Sequence, residues 1–323
     1  MSTDISTGQL ANVCLINDYK DGGVLLIENP MACHFETIET VVCKYKQIIG
    51  DRPIRDIYIH QNCNFKFDVR RPRQSYYNIL AAQQDKAKND HKKYLSSLYP
   101  FIKFEKPAAY DYYINISLYP HEYENVKTND PTTHFYISHR LSEDIYKSAP
   151  NIFYLTPLAM YNVLEQDILP YMNEPKKKTS CPIYVIQGNW DKARRNYTSL
   201  LAILKTPFRK DYRIKMLGRG KYPQELEPFK SKIIKCTDYH WEPFHKEFLD
   251  CYCILPLISK SSHPQYYSET FTSSISYAKA YTLKALLDKD LQDIYNLPDA
   301  EVYTDESTIV KAFEKTLYDF YKR

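Results

Sequence analysis

Glycine is scarce in this chain. It occurs 7 times in 323 residues, where average usage of about 7% would give roughly 23. With so few glycines, each one present is expected to sit where the backbone needs it. The single G-x-G, Gly218-Arg219-Gly220, lacks the third glycine of a dinucleotide fingerprint, so NAD or FAD is not expected. Also missing is any C-x-x-C spacing among the eight cysteines, Cys14, Cys33, Cys43, Cys63, Cys181, Cys236, Cys251 and Cys253. That removes the common zinc and redox spacing, and eight cysteines in a chain of this length do not make a disulfide framework, so reduced thiols in a cytoplasmic protein are expected. No window approaches 18 apolar residues, and MSTDISTGQLANVCLIND lacks a basic start followed by an apolar stretch. Neither a membrane span nor a signal peptide is therefore expected. Strong charge is absent as well: 43 Lys plus Arg against 39 Asp plus Glu leaves +4. Scattered as it is, this excess argues against a nucleic-acid partner, whose footprint is clustered Lys and Arg. The patches VRRPRQ (69–74) and EPKKKT (174–179) read as solvated loops.

What is present is 44% hydrophobic and 25% charged residues, the balance of a folded globular protein, long enough for two domains. Tyrosine occurs 31 times against 14 Phe. Either composition bias explains this, or some phenols line a groove for a polar, ring-shaped ligand.

Short β-branched or aromatic runs stopped by Asn, Pro or His predict strands at 24–30, 54–62, 110–120, 133–139 and 151–157. Between the first two, Ile38, Val41, Val42, Tyr45, Ile48 and Ile49 recur at helical spacing and Gly50 ends the run. Strand, helix, strand implies a parallel sheet. Further helices are predicted within 75–98 and 160–172. A linker rich in Pro and Lys follows at 173–180, and then the alternation restarts. Strands are expected at 181–189, 212–220, 230–236, 251–258 and within LKALLD, with helices from Asp191, within HKEFLD, near SSISYAKAY and from Glu306 to Tyr321. The predicted fold class is α/β, with two facing Rossmann-like domains, 1–172 and 181–305, and a closing helix at 306–323 that returns toward the first domain.

Three of the seven glycines fall after apolar strands, in Gln187-Gly188-Asn189 and Leu217-Gly218-Arg219-Gly220. The carboxyl end of a strand borders the ligand crevice of an open α/β sheet, and glycine there lets an anionic ligand approach the backbone. Each loop is also compatible with a plain turn. Arg194 and Arg195, expected one turn into the next helix, would reach a phosphate above the strand end. From Tyr266 through Tyr267, Glu269, Thr272, Ser273 and Ser274 to Ser276, hydroxyls crowd a helix start, where one would suffice for capping. Free N–H groups and the dipole there suit a diphosphate. Asp288-Lys289-Asp290 reads as a helix start rather than a metal pair, and no other group has metal-ligand spacing.

These positions resemble the nucleotide-sugar-binding domain of GT-B fold glycosyltransferases. That family holds the donor with a glycine loop, a basic residue, a G-x-G-like turn and a Glu- or Ser-rich helix start, here matched by Gln187, Gly188, Asn189, Arg194, Gly218, Arg219, Gly220 and Glu269 through Ser274. In size and composition the chain is also similar to glycosyltransferases of large DNA viruses. The resemblance implies a UDP- or GDP-linked sugar as donor, a glycan acceptor bound by the N-terminal domain, and no cofactor or catalytic metal. A Glu-x7-Glu pair found in many retaining members is missing, since Tyr277 occupies the second position counted from Glu269, so stereochemistry stays open. A base on the acceptor hydroxyl is sought among residues after N-terminal strands: His34 and Glu36, His60, His121 and Glu122, His139 and Arg140. His34 leads, with Glu36 or His139 next. The rival readings are a metal-dependent GT-A transferase and a non-enzymatic glycan- or nucleic-acid-binding module.

Overall fold

The computed structural model describes residues 21–30, 35–61, 86, 88–118, 123–141, 149–166, 168, 175–237 and 241–322. The chain divides into two compact units, Met1–Ile168 and Leu169–Arg323. In the first, β1 (Gly23–Asn29), β2 (Ile54–Gln61), β3 (Ile102–Lys103), β4 (Tyr112–Asn115), β5 (His134–Ser138) and β6 (Ile152–Tyr154) form a parallel sheet in the order β3-β2-β1-β4-β5-β6. In the second, β7 (Ile183–Asn189), β8 (Arg213–Arg219), β9 (Ile233–Thr237), β10 (Cys253–Ile254), β11 (Lys284–Asp288) and β12 (Ala300–Tyr303) are ordered β12-β11-β10-β7-β8-β9, again all parallel. Each sheet reverses direction beside its first strand, between β1 and β4 and between β7 and β10. An open α/β sheet has its ligand crevice beyond the carboxyl ends at such a point.

The parallel order follows from the sequence. Leu25, Leu26 and Ile27 in β1 are fully buried, as are Tyr184, Val185 and Ile186 in β7, and a strand covered on both faces reads as a continuous apolar run. Helix α1 (Phe35–Ile49) buries the predicted apolar face and ends at Gly50, whose φ of +77° is the left-handed conformation of a helix C-terminus. The last helix, Glu306–Tyr321, buries Ile309, Ala312, Phe313, Thr316 and Leu317 at spacings of three and four in the core of the second unit. There the Phe313 ring lies 4.2 Å from that of Tyr184. Many of the tyrosines are core residues with satisfied hydroxyls. Tyr184 meets Thr316 Oγ1 at 2.9 Å, Tyr252 donates to the Thr316 carbonyl at 3.0 Å, and Tyr197 donates to the Trp190 carbonyl at 2.9 Å.

Several predicted elements differ in kind or extent. Residues 160–166 and 168 are not helical. The helical spacing of their apolar residues is overridden by tertiary bonds. Asn162 takes φ +50° and donates to the carbonyls of Ala149 and Ile152 at 3.1 and 3.0 Å, Val163 bridges to Tyr154, and Lys44 bonds the Glu165 carbonyl at 2.8 Å. The run 251–258 contributes only the two residues of β10, because Pro256 and the left-handed Leu257 (φ +52°) end the ladder. The short strands β3 and β12 had no sequence signal. Among the described residues no helix is long and apolar enough to cross a membrane.

Candidate nucleotide-binding site

The candidate site is built on the carboxyl ends of β7 and β8. These strands pair in register, with Gly188 opposite Gly218 and Asn189 opposite Arg219. A Cβ on Gly218 would sit 1.9 Å from the Gly188 carbonyl oxygen, so this glycine lets the two backbones meet. Gly188 has φ +105°, and a Cβ there would lie 2.8 Å from Arg195 Nη2. Its missing side chain makes room for a guanidinium.

Helix α2 spans Tyr197–Lys205, so Arg194 and Arg195 precede it rather than lying one turn inside. Residues 189–196 are folded by short-range bonds instead. Asn189 Oδ1 accepts from Asp191 N at 2.9 Å, Asp191 Oδ1 accepts from Ala193 N at 2.9 Å, and Asn196 caps α2 by accepting from Thr198 N and Ser199 N. The resulting turn carries Arg195 back under the strand end. Arg195 is 7% exposed; Nη2 donates to the Gln187 carbonyl, Nη1 donates to the Arg194 carbonyl at 2.8 Å, and Nε has no partner. Burial lowers its pKa, and the nearby Tyr266 and Tyr197 oppose that shift. A buried guanidinium with an unsatisfied N–H is costly unless something anionic completes it. Arg194 is exposed, with Nη1 3.2 Å from the Tyr266 hydroxyl.

From the other side comes the helix Ser273–Ala280. Its N-cap, Thr272, makes no side-chain cap, so the first-turn amides lack a capping side chain. Ser274 is buried and its Oγ donates to Gln187 Oε1 at 3.3 Å, tying the helix start to the end of β7. The cleft so formed measures about 270 Å3. Its lining includes Gln187, Gly188, Asn189, Arg194, Arg195, Arg219, Thr272, Ser273 and Ser274, nine of the thirteen residues expected for the donor, joined by Tyr266 and Phe271. It holds three arginines and no carboxylate.

The other four expected residues do not line the cleft. Gly218 acts between strands. Gly220 packs under Asn189 and Trp190, where a Cβ would be 3.0 Å from Asn189 Oδ1. Tyr267 turns its hydroxyl to the Ile258 carbonyl at 3.1 Å. Glu269 caps the short helix Gln265–Ser268 through its backbone. Tyr266 opens the same hydroxyl-rich segment but was not among the expected donor residues, because only the four-residue helix Gln265–Ser268 decides which phenol faces inward. Asp288 caps the helix Lys289–Tyr295 by accepting from Asp290 N, and Asp290 pairs with Lys260 at 3.0 Å, as a helix start would. Among the described residues no three His, Cys, Asp or Glu side chains converge as metal ligands.

In the first unit, His34, His121 and Glu122 lie outside the described residues. Glu36 opens α1, and His139 follows β5 with Nε2 3.5 Å from the Thr37 hydroxyl, so both stand at the carboxyl edge of their sheet.

No family model and no curated protein matches this chain. Solved structures do. A glycosyltransferase involved in avilamycin A biosynthesis is 9% identical over 91% of this chain and 87% of its own, with a TM-score of 0.53. The sucrose-phosphate synthase of Thermosynechococcus elongatus is 10% identical over 91% and 90%, with a TM-score of 0.52. A glycosyltransferase from Rickettsia africae is 12% identical over 93% and 89%, with a TM-score of 0.51. They lend no support to the large-DNA-virus likeness. Together with the two six-stranded parallel sheets, they give this chain the two-domain α/β fold of the GT-B glycosyltransferases.

Proposed function

We propose that this chain is a glycosyltransferase that moves a hexosyl or pentosyl group from a UDP- or GDP-linked sugar to a carbohydrate hydroxyl. The observation that carries this reading is the buried, incompletely bonded guanidinium of Arg195 in a cleft that also receives an uncapped helix start. Backbone amides at a helix N-terminus and guanidinium forks are the natural partners of a diphosphate. Charge develops on that diphosphate as the sugar leaves, so the same groups stabilise the transition state. With three arginines and no carboxylate in the lining, the site meets the diphosphate charge with its own cations, which supports a metal-independent reaction.

The test is a thermal-shift panel of UDP, GDP and their sugars. One nucleotide family is expected to raise the unfolding temperature, since a ligand that binds only the folded state stabilises it. Arg194→Ala, an exposed position, should weaken nucleotide binding about 10- to 100-fold, the worth of a hydrogen bond to a charged group. A panel without any shift, or unchanged affinity in the variant, rejects the reading.

A further inference from the structure

The cleft of the second unit is one-sided in both charge and hydrogen bonding. Arg194, Arg195 and Arg219 line it, and no carboxylate does. A guanidinium only donates, and so do the first-turn amides of the helix Ser273–Ala280. The two side-chain amides in the lining have their oxygens engaged already, Gln187 Oε1 by the Ser274 hydroxyl at 3.3 Å and Asn189 Oδ1 by Asp191 N at 2.9 Å. Apart from its hydroxyls, the wall presents donors and few side-chain acceptors.

The three cations divide by position. Arg194 and Arg195 belong to the turn after β7, whose end is tied to the helix start through Gln187 and Ser274. Arg195 is buried and its Nε has no partner. Arg219 stands on the neighbouring strand as the last residue of β8, opposite Asn189, and so about 4.8 Å farther across the sheet. It is exposed, and among the described residues its guanidinium meets no carboxylate. Like charges gathered in one cleft focus a field that favours an anion of matching charge.

Each phosphate of a sugar-linked diphosphate carries a single negative charge, so the diphosphate answers Arg194 and Arg195, and the helix start adds positive potential of its own. The third arginine is left over. UDP and GDP hold no further anionic group, which leaves the sugar. A neutral hexose would bring hydroxyls, which donate as well as accept, to a wall built of donors. A carboxylate only accepts, and it pairs with a guanidinium fork through two parallel bonds. We infer that the donor sugar is acidic, a glycuronosyl group whose carboxylate is held by Arg219; the inference rests on the glycosyl-transfer reading above and names the class of sugar moved.

The full chain is titrated by calorimetry with matched pairs: UDP-glucuronate against UDP-glucose, UDP-galacturonate against UDP-galactose, and GDP-mannuronate against GDP-mannose. Within the nucleotide family that binds, an acidic member is expected to bind about 10- to 100-fold more tightly than its neutral counterpart, the worth of a hydrogen bond to a charged group. Arg219→Gln should bring that ratio to within about twofold of unity, whereas Arg219→Lys, which keeps the charge and loses the fork, should retain part of it. Damage to the fold would lower both affinities together and leave the ratio standing. Raising NaCl from about 0.05 to about 0.5 M should shrink the wild-type ratio, because Arg219 is exposed. Equal affinities in every pair, or an acid preference that survives Arg219→Gln in full, overturns the inference. Binding of UDP or GDP without any acid preference removes only the acidic sugar, whereas no binding by any nucleotide removes the glycosyl-transfer reading and this inference with it.

Discussion

Gly218 and Gly188 show how one atom decides the shape of the cleft. Gly218 has a steric requirement independent of any ligand, because its absent Cβ is where the Gly188 carbonyl sits. Gly218→Ala must push β8 away from β7 at the end that carries Asn189 and Arg219. The contact is backbone against Cβ, so no rotamer relieves it, and the cost is expected at the upper end of overpacking, about 3 kcal/mol. Urea unfolding measures it; a loss below about 1 kcal/mol would show that the strands separate easily. The importance of both glycines was legible in the sequence from their rarity and their place after apolar runs. The cause was only half legible. A ligand's approach and a neighbouring strand's approach demand the same missing atom, and sequence alone does not say which backbone comes near.

At the scale of elements, the sheets were read well and the short connections poorly. β1, β2, β5, β7 and β8 are buried apolar runs, and α1 and the last helix repeat at 3.6 residues, signals that survive any tertiary context. The turn at 191–196 was hidden because its bonds are Asx and capping interactions inside a helix-compatible stretch. Likewise the packing of helix α3 (Trp241–Lys246) against Ser273–Ala280 could not be foreseen. There His245 is fully buried, with rings from Phe244 and Tyr277 around it and the Tyr281 hydroxyl on Nδ1. Burial pushes its pKa from the ordinary 6.5 down to about 3. Above pH 6.5 the imidazole is neutral in both folded and unfolded chains, so it adds no pH dependence. Below 6.5 the unfolded chain takes up a proton that the folded chain refuses, and stability falls by about 1.4 kcal/mol per pH unit until roughly pH 3. Urea unfolding at pH 6.5 and 5 should therefore show a loss from this group of about 2 kcal/mol. His245→Asn, which takes up no proton, is expected to be less stable throughout but flatter by that amount. Equal slopes in the two proteins would mean the ring protonates in place.

For the whole molecule, each unit carries its own six-stranded sheet with its own buried residues. One core gathers Tyr184, Ile186, Leu200, Ile214 and Phe313 in the second unit, and another gathers Leu118, Val126, Tyr136, Ile152 and Tyr154 in the first. Two cores of this size each satisfy the conditions for cooperative unfolding. Every residue of the candidate nucleotide cleft belongs to the second unit. Binding there stabilises only the unit that holds the ligand, by about 2.7 kcal/mol at a hundredfold excess over Kd. Calorimetry of the full chain is thus expected to resolve two transitions, with nucleotide moving one of them by roughly 5–10 °C and leaving the other in place. A fragment covering 175–323 should reproduce the moved transition and its shift. A single transition displaced as a whole would show instead that the first sheet cannot stand without the second, and a shift confined to the other transition would relocate the nucleotide to the first unit.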